Sequence, residues 1–470
     1  MEGDINRFGT GLQQEIEPLR TYDYERAFGA INTSVTYPSY YILPEDRLGV
    51  VKDQGRVGAC VGCVMSSLAE VFEKIETNEN VEFSEGWAYG ALRGANDNYY
   101  GMYISQALEY WRKTGMIPKK YFNFLAEMPE IRTKVNAFPE LYEEAERYKI
   151  KSYANLNYAD TKKKDLAIKE AIYKRKHGLL AGSTKFFTES HCIMLVGWND
   201  EKDTYIFKNS WGKNWGKNGI SEIPKSKLDM VYLVTDEELT IPFIDVNKED
   251  WYYNDVKNVY LGDLMNGITS SMFFPEDNLT RAQIATILNR IVEMNNERIT
   301  NIVKILKNKK NTLSFDSSKY LIKKINFQEF KFVDVKEDAW YYNDIKSAFE
   351  YGLVQGHGNE TYVPEGNITR AEMATVIMRI IDLFLEKINY ILKIIKKNEI
   401  GLDLTKFKFS DVAEDAWYYN VVNEICSLDI MEGKGYGIFD PNGSTTRGET
   451  SAIINRLCKF IDGINHIVIE

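Results

Sequence analysis

No stretch of this sequence runs for about 18 apolar residues, so it supplies no helix able to span a membrane. The opening MEGDINRFGTGLQQEIEP lacks both the basic start and the apolar core of a secretory signal, so export by the general route is not expected from these residues. Cysteine is scarce: five in 470 residues, odd in number and irregular in spacing, which excludes a disulfide framework. Positive charge is in deficit. A formal net charge of −10 excludes a general nucleic-acid binder, because neutralising phosphates takes clustered Lys and Arg. The local clusters KNKK (307–310) and KIIKK (393–397) sit within Ile and Leu periodicity and read as solvated helix faces. The 44% hydrophobic and 13% aromatic content suffices to fold, in a chain too long for one core, so two or three domains are expected.

Residues 1–38 are polar, show no sustained periodicity and read as a short N-terminal extension. From 39 to 240 helical and strand-like stretches alternate. CVGCVMSSLAEVFEKI (60–75) carries apolar residues at helical spacing, and GMYISQALEYWRKTG (101–115) reads as a helix ending at Gly115. HCIMLVGW and YIFKNSW are short β-rich runs separated by NDEKD, which predicts a hairpin. Helices first and hairpins later imply an α+β domain with segregated elements.

The remainder is repetitive. Asp245, Trp251, Gly267, Pro275 and Arg281 recur as Asp334, Trp340, Gly356, Pro364 and Arg370, and again as Asp411, Trp417, Gly433, Pro441 and Arg447. Successive spacings of 6, 16, 8 and 6 residues are the same in all three copies, which marks a structural repeat. Each copy reads helix, Gly-containing loop, Pro-containing turn, helix. Thr280, Thr369 and Thr446 stand where an N-cap belongs, with Gln or Glu three residues on, which predicts a capping box. One helix pair cannot bury its own apolar face, so the three copies are expected to pack together. The copies are placed at 241–293, 332–381 and 409–462. Amphipathic runs at 294–331 and 382–408 between them are expected to prolong the second helix of a copy or to add another.

The chemistry lies in QGRVGAC (54–60), ESHCIMLVGW (189–198) and YIFKNSWGKNWGKNG (205–219). Amide hydrolysis by a thiol needs a thiolate near neutral pH, and a helix N-terminus lowers a thiol pKa through its partial positive charge. Cys60 opens a predicted helix. His191, one of four histidines, is the candidate base that takes the thiol proton and returns it to the leaving amine. An Asn carbonyl accepting from a ring N–H would fix the imidazole tautomer, and Asn209 follows at the end of the adjacent strand. The Gln54 side-chain amide and the Cys60 backbone N–H are the candidate oxyanion donors. Cys60 and Cys63 form a C-x-x-C pair, but no second pair or redox-type βαβ setting accompanies it. No metal or cofactor is expected.

On these three segments, the region from about 39 to 235 resembles the papain-like cysteine peptidases. VKDQGRVGAC looks like that family's nucleophile segment, HCIMLVGW its histidine strand, and KNSWGKNWGKNG its asparagine segment. The resemblance implies a two-lobed fold, with a helical lobe beside a β-rich one, and catalysis by Cys60, His191 and Asn209. It also implies Gln54 in the oxyanion hole and Trp211 shielding the His191–Asn209 contact from water. Val57 and Val61 stand where the family usually has Cys and Trp. Residues 1–38 are too short for the family's large helical propeptide, so latency of that kind is not expected.

Residues 243–461 resemble S-layer homology repeats. The resemblance implies an all-α pseudo-threefold unit that binds secondary cell-wall polysaccharide in grooves between copies. Arg281, Arg370 and Arg447, with Asp245, Asp334 and Asp411, would be the binding residues. TRGE in the third copy departs from the TRAE pattern and is expected to degrade one groove. The chain therefore reads as a cysteine endopeptidase acting on protein or peptide substrates outside the cell, anchored to a bacterial wall, with its export route open. Two rival readings are a phage or prophage lysin or processing protease that recognises host wall, and a non-enzymatic surface adhesin.

Overall fold

A computed structural model of the chain describes residues 12, 22–31, 33–92, 101–123, 140–186, 189–309, 313–325, 328–402 and 407–469. Among them, no helix is long and apolar enough to cross a membrane. The chain divides into two compact units, with the boundary between Thr240 and Ile241.

The first unit carries β1 (Tyr22–Asp23), α1 (Tyr24–Phe28), β2 (Tyr40–Ile42), α2 (Cys60–Thr77), α3 (Glu85–Leu92), α4 (Ile104–Lys113) and α5 (Leu141–Ala145). It continues through β3 (Ser152–Asn155), α6 (Thr161–Arg175), β4 (Leu179–Phe186), β5 (Glu189–Asn199), β6 (Thr204–Lys208), β7 (Ile220–Pro224) and β8 (Met230–Thr235). Helices gather early and the sheet late, as an α+β fold requires. The sheet order is β1-β3-β8-β4-β5-β6-β7, with β2 pairing β5. Every residue of α2 from Cys60 to Phe72 is buried, so this is a core helix, and it packs against β5. It ends at Asn78, whose left-handed φ of 61° suits a helix stop. The expected hairpin is present: β5 and β6 run antiparallel, with Trp198 opposite Tyr205. Gly197 has no space for a side chain, since a Cβ would lie 2.1 Å from Tyr41 O on the paired strand β2.

Part of the segment read as an extension is built into this unit. β1 pairs in parallel with β3, Asp23 caps α1 by accepting from the backbone N–H of Glu25 and Arg26, and Tyr24 is buried. Residues 1–11, 13–21 and 32 lie outside the described residues. Leu12 is buried and bridges Met102; a Cβ on Gly182 would meet its Cδ2 at 2.9 Å, Met230 Cε at 3.0 Å and Ile104 Cδ1 at 3.1 Å. The apparent lack of pattern at 1–38 hid these anchors, because single apolar residues dock into a core formed elsewhere in the chain.

The second unit is helical: α7 (Tyr253–Leu261), α8 (Arg281–Lys309), α9 (Ser317–Tyr320), α10 (Tyr342–Glu350), α11 (Arg370–Ile394), α12 (Tyr419–Ser427) and α13 (Arg447–Ile469). All three capping boxes form. Thr280, Thr369 and Thr446 hydroxyls accept from the N–H of residues 283, 372 and 449 at 3.2 Å each. The reciprocal bonds run from the Thr N–H to Gln283 Oε1 (3.1 Å), Glu372 Oε2 (2.9 Å) and Glu449 Oε2 (3.2 Å). The copies close into a ring. Arg281 N–H donates to Gly366 O, Arg370 N–H to Gly443 O, and Arg447 N–H to Asp277 O, each within 2.8–2.9 Å. The amphipathic runs prolong second helices: α8 and α11 pass without a break through the expected boundaries at 293/294 and 381/382. The prolonged ends are tied together by the buried pair Arg298 Nη1–Asp462 Oδ1 at 3.1 Å.

Candidate active site and inter-repeat grooves

Cys60 is the first residue of α2, and its Ala59 N-cap offers no side-chain hydrogen bond. The first-turn N–H groups therefore lack a side-chain cap and direct their partial positive charge at the thiol. Cys63, one turn on, is buried, and burial pushes its thiol well above the ordinary range, so it is the inert partner of the pair. Val61 is buried beside it in the core. All five cysteines are unbridged.

β5 carries His191 between two neighbours, opposite Ser183 of β4, while Met194 opposes Lys208 and so brings Asn209 to the same end of the sheet. His191 Nε2 lies 2.8 Å from Asn209 Oδ1, which also accepts Ser210 N–H at 2.8 Å. The backbone donor identifies that atom as the amide oxygen, so Nε2 carries the hydrogen and Nδ1 keeps its lone pair. Nδ1 is buried with no hydrogen-bond partner. The ring lies between Phe186 (centroids 4.8 Å apart) and Trp211 (4.9 Å). Burial lowers its pKa to about 4, against the opposing effect of the Asn209 bond, so the imidazole is neutral at physiological pH.

Ser210, which the sequence reading passed over, organises the rest. Its O accepts Gln54 N–H (2.9 Å), its hydroxyl donates to Gln54 Oε1, and its N–H holds Asn209. With Oε1 occupied, the Gln54 amide turns Nε2 toward Val57 O, 2.8 Å away. The signal was present in the NSWG motif itself, but a serine there has no chemistry to announce it.

A buried charge cluster underlies this frame. Lys52 Nζ pairs with Glu70 Oε1 and with Glu85 Oε1 (3.2 Å), while Val50 N–H (2.7 Å) and Phe83 N–H (3.3 Å) also donate to Glu70. Lys208, adjacent to Asn209, donates to the carbonyls of Leu48 and Val50; burial lowers its pKa to about 7. Beyond Trp211 opens a cavity of about 430 Å³ whose walls include Asp53, Arg56, Lys213 and Asn214.

In the second unit the six residues expected to bind polymer all have internal partners. Asp245 accepts the N–H of Phe273 and Phe274, Asp334 those of Tyr362 and Val363, and Asp411 those of Phe439 and Asp440, at 2.7–2.9 Å. Each arginine crosses to the next copy: Arg281 Nε to Tyr362 O (2.8 Å), Arg370 Nε to Phe439 O (2.7 Å) and Arg447 Nε to Phe273 O (2.8 Å). The Asp residues close loops inside copies and the Arg residues tie copies together. A cavity of about 390 Å³ includes Arg281, His357, Glu372 and Trp417 in its lining, and thus draws on all three copies. Trp251, Trp340 and Trp417 are 65%, 63% and 66% exposed, high values for so apolar a ring. They recur in the sequence, but only the fold shows that they face outward.

The papain family cysteine protease profile matches residues 44–238, and the S-layer homology domain profile matches 242–285, 331–374 and 408–451. The first unit belongs to the papain family of cysteine proteases. Three S-layer homology domains follow it. Among similar proteins, the endoglucanase of Bacillus sp. (strain KSM-635) is 27% identical over 217 residues, 46% of this chain and 18% of that protein. The cellulosome-anchoring protein of Acetivibrio thermocellus is 29% identical over 192 residues, 41% of this chain and 34% of that protein. A cysteine protease of Blomia tropicalis is 23% identical over 225 residues, 42% of this chain and 63% of that protein. The chain thus spans well under two thirds of the endoglucanase and the anchoring protein. Xylellain, a cysteine protease from Xylella fastidiosa, aligns in structure with a TM-score of 0.42 and 20% identity, covering 49% of this chain and 97% of that one.

Proposed function

We propose that the protein is a cysteine endopeptidase held at a bacterial cell surface, with its S-layer homology domains binding secondary cell-wall polysaccharide. The observation that carries the catalytic part is the polarised imidazole: His191 gives its Nε2 hydrogen to Asn209 and leaves Nδ1 buried and unpaired. In this reading the Cys60 thiol passes its proton to Nδ1 as sulfur attacks the scissile carbonyl carbon. The resulting oxyanion is met by the Cys60 N–H and the Gln54 amide. His191 then protonates the leaving amine, the C–N bond breaks and a thioester remains. Water attacks the thioester, giving its proton to His191, and the thiol is regenerated with release of the acid.

A thiol-directed epoxide on the full chain tests this reading. One equivalent should add, with the mass increment on Cys60 and none on Cys63, Cys192, Cys426 or Cys458. Absence of an adduct would favour the non-enzymatic adhesin.

The site also suggests what is cleaved. His191 protonates the leaving amine, so the leaving segment lies on the His191 side, beside Trp211 and the cavity next to it. Arg56 and Lys213 outnumber Asp53 on the charged walls of that cavity. Peptides with Asp or Glu in the first two positions after the scissile bond are expected to show kcat/KM about 2–5-fold above Lys-containing peptides, the range of exposed charge pairs. Reversal of this preference in paired peptides would exclude the assignment.

A further inference from the structure

Among the described residues four lysines are buried, and three of them face a carboxylate. Lys52 pairs with Glu70 and Glu85, Lys169 with Asp165 and Asp200, and Lys387 with Glu386. Lys208 is the exception. It is 3% exposed, forms no ion pair among the described residues, and directs its ammonium at two backbone carbonyls, Leu48 O and Val50 O, the second at 2.8 Å. Glu70 does not need it as a counter-charge, because Lys52 already pairs with Glu70, while Lys52 and Lys119 both pair with Glu85. Burying an ammonium is costly, and an apolar side chain could fill the same space. What Lys208 adds is therefore its pair of hydrogen bonds.

The two carbonyls flank Gly49, and the turn closes around Nζ. Gly49 has a φ of +66°, and a Cβ there would lie 2.9 Å from Ser67 O, 3.0 Å from Glu70 Oε2 and 3.3 Å from Lys208 Nζ. Glu70 Oε2 accepts the Val50 N–H of the same turn at 2.7 Å. A few residues later the chain reaches Gln54. Residues 52–54 run antiparallel to 210–212, held by Gly212 N–H on Lys52 O and Gln54 N–H on Ser210 O, both 2.9 Å, around the bridge between Asp53 and Trp211. These two bonds bracket one residue pair, which leaves the segment able to tilt about them. Lys208, the last residue of β6, clamps it at a further point.

We propose that Lys208 is a positioning residue for the oxyanion hole. Its ammonium fixes the 48–50 turn to β6, and the turn sets where the Gln54 amide stands relative to the His191–Asn209 pair. Asn209 and Ser210 follow Lys208 directly, so three consecutive residues hold the base and, through the Lys208 side chain and the Ser210 hydroxyl, the donor. This role rests on the proposed mechanism, in which the Gln54 amide and the Cys60 N–H meet the oxyanion. A donor displaced by about 1 Å loses much of its effect, because the charge it serves develops only on the way to the transition state. Cys60 and His191 are placed by α2 and β5, to which the ammonium makes no hydrogen bond. Asn209 keeps its own anchor, its N–H donating to Gly219 O at 2.8 Å.

Full-length wild type and Lys208→Met are compared in two reactions, both run well below the unfolding midpoint of the variant. One is turnover of a peptide amide; the other is alkylation of Cys60 by iodoacetamide, read by peptide mass. Alkylation displaces iodide from a saturated carbon and forms no oxyanion, so it reports the Cys60–His191 pair alone. Lys208→Met is expected to lower kcat by about 10- to 100-fold, with KM changed by less than about 3-fold and the alkylation rate kept within about 2-fold. A purely structural role would slow both reactions or neither. Equal loss in both would place Lys208 behind His191 and Asn209 and overturn the oxyanion assignment, as would turnover at the wild-type level. Should Lys208→Met fail to fold, Gly49→Ala crowds the same turn with the lysine in place; it is expected to give the same split and is judged by the same outcomes. If wild type neither turns over the peptide nor is alkylated at Cys60, the thiol mechanism itself fails and the role of Lys208 falls with it.

Discussion

Cys60→Ala is expected to lower kcat/KM on unstructured polypeptides by about 10⁴-fold or more, because loss of the nucleophile removes the covalent route entirely. The fold should be unaffected: Cys60 is fully buried at the start of α2, and alanine keeps the Cβ that packs there. What remains, the polarised His191 and the Gln54 amide, can assist water only weakly. The same variant should sediment with cell-wall sacculi as wild type does, since the S-layer homology domains form a separate compact unit. Proteolysis measured on a denatured protein substrate is the readout, and activity persisting near the wild-type level would mean that another group performs the attack.

Glu70→Ala should produce the largest loss of stability in the protease domain. Glu70 pairs with buried Lys52 and accepts the N–H groups of Val50 and Phe83, so its removal leaves two buried backbone donors without this acceptor and takes one of two carboxylates from Lys52. Breaking a buried pair in this way costs about 3–5 kcal/mol. For a unit of this size that is a fall of roughly 10 °C in the unfolding midpoint. Activity should suffer even below that temperature. Lys208 shares this buried charge cluster, and Asn209, which orients His191, is the next residue along the chain. Glu79→Ala, at an exposed position just beyond the C-cap of α2, should stay within about 0.5 kcal/mol of wild type by calorimetry. Equal midpoints for the two variants would show that the cluster does not hold the frame.

The elements bearing Cys60 and His191 were legible because both signals are local. A helical spacing over 60–75 and an apolar run at 192–198 each specify their element without reference to the rest of the chain. The capping boxes were legible for the same reason, since a Thr and a Gln or Glu three residues apart meet within one helical turn. Ser210 and the Lys52–Glu70–Glu85 cluster were not legible. Their partners lie 13 to 156 residues away, and no local pattern marks a polar residue for burial. The repeat arginines carried a signal that read two ways. Recurrence at fixed spacing fits a binding residue and an inter-copy tie equally well, and only the distances to carbonyls of the next copy show that each arginine makes the tie.

By itself the sequence determined the kind of chemistry and the presence of a threefold repeat, because both are written in short motifs whose spacing is covalent. Only the tertiary structure decided which atoms are free to act. It polarises His191 by placing Asn209 on one ring nitrogen and nothing on the other. It also gives Arg281 the Glu372 carboxylate, while Arg447 is held by the carbonyls of Phe273 and Asn266. Hydrogen-bond partners are assigned by folding, and a side chain whose capacity is filled internally has little left for a ligand.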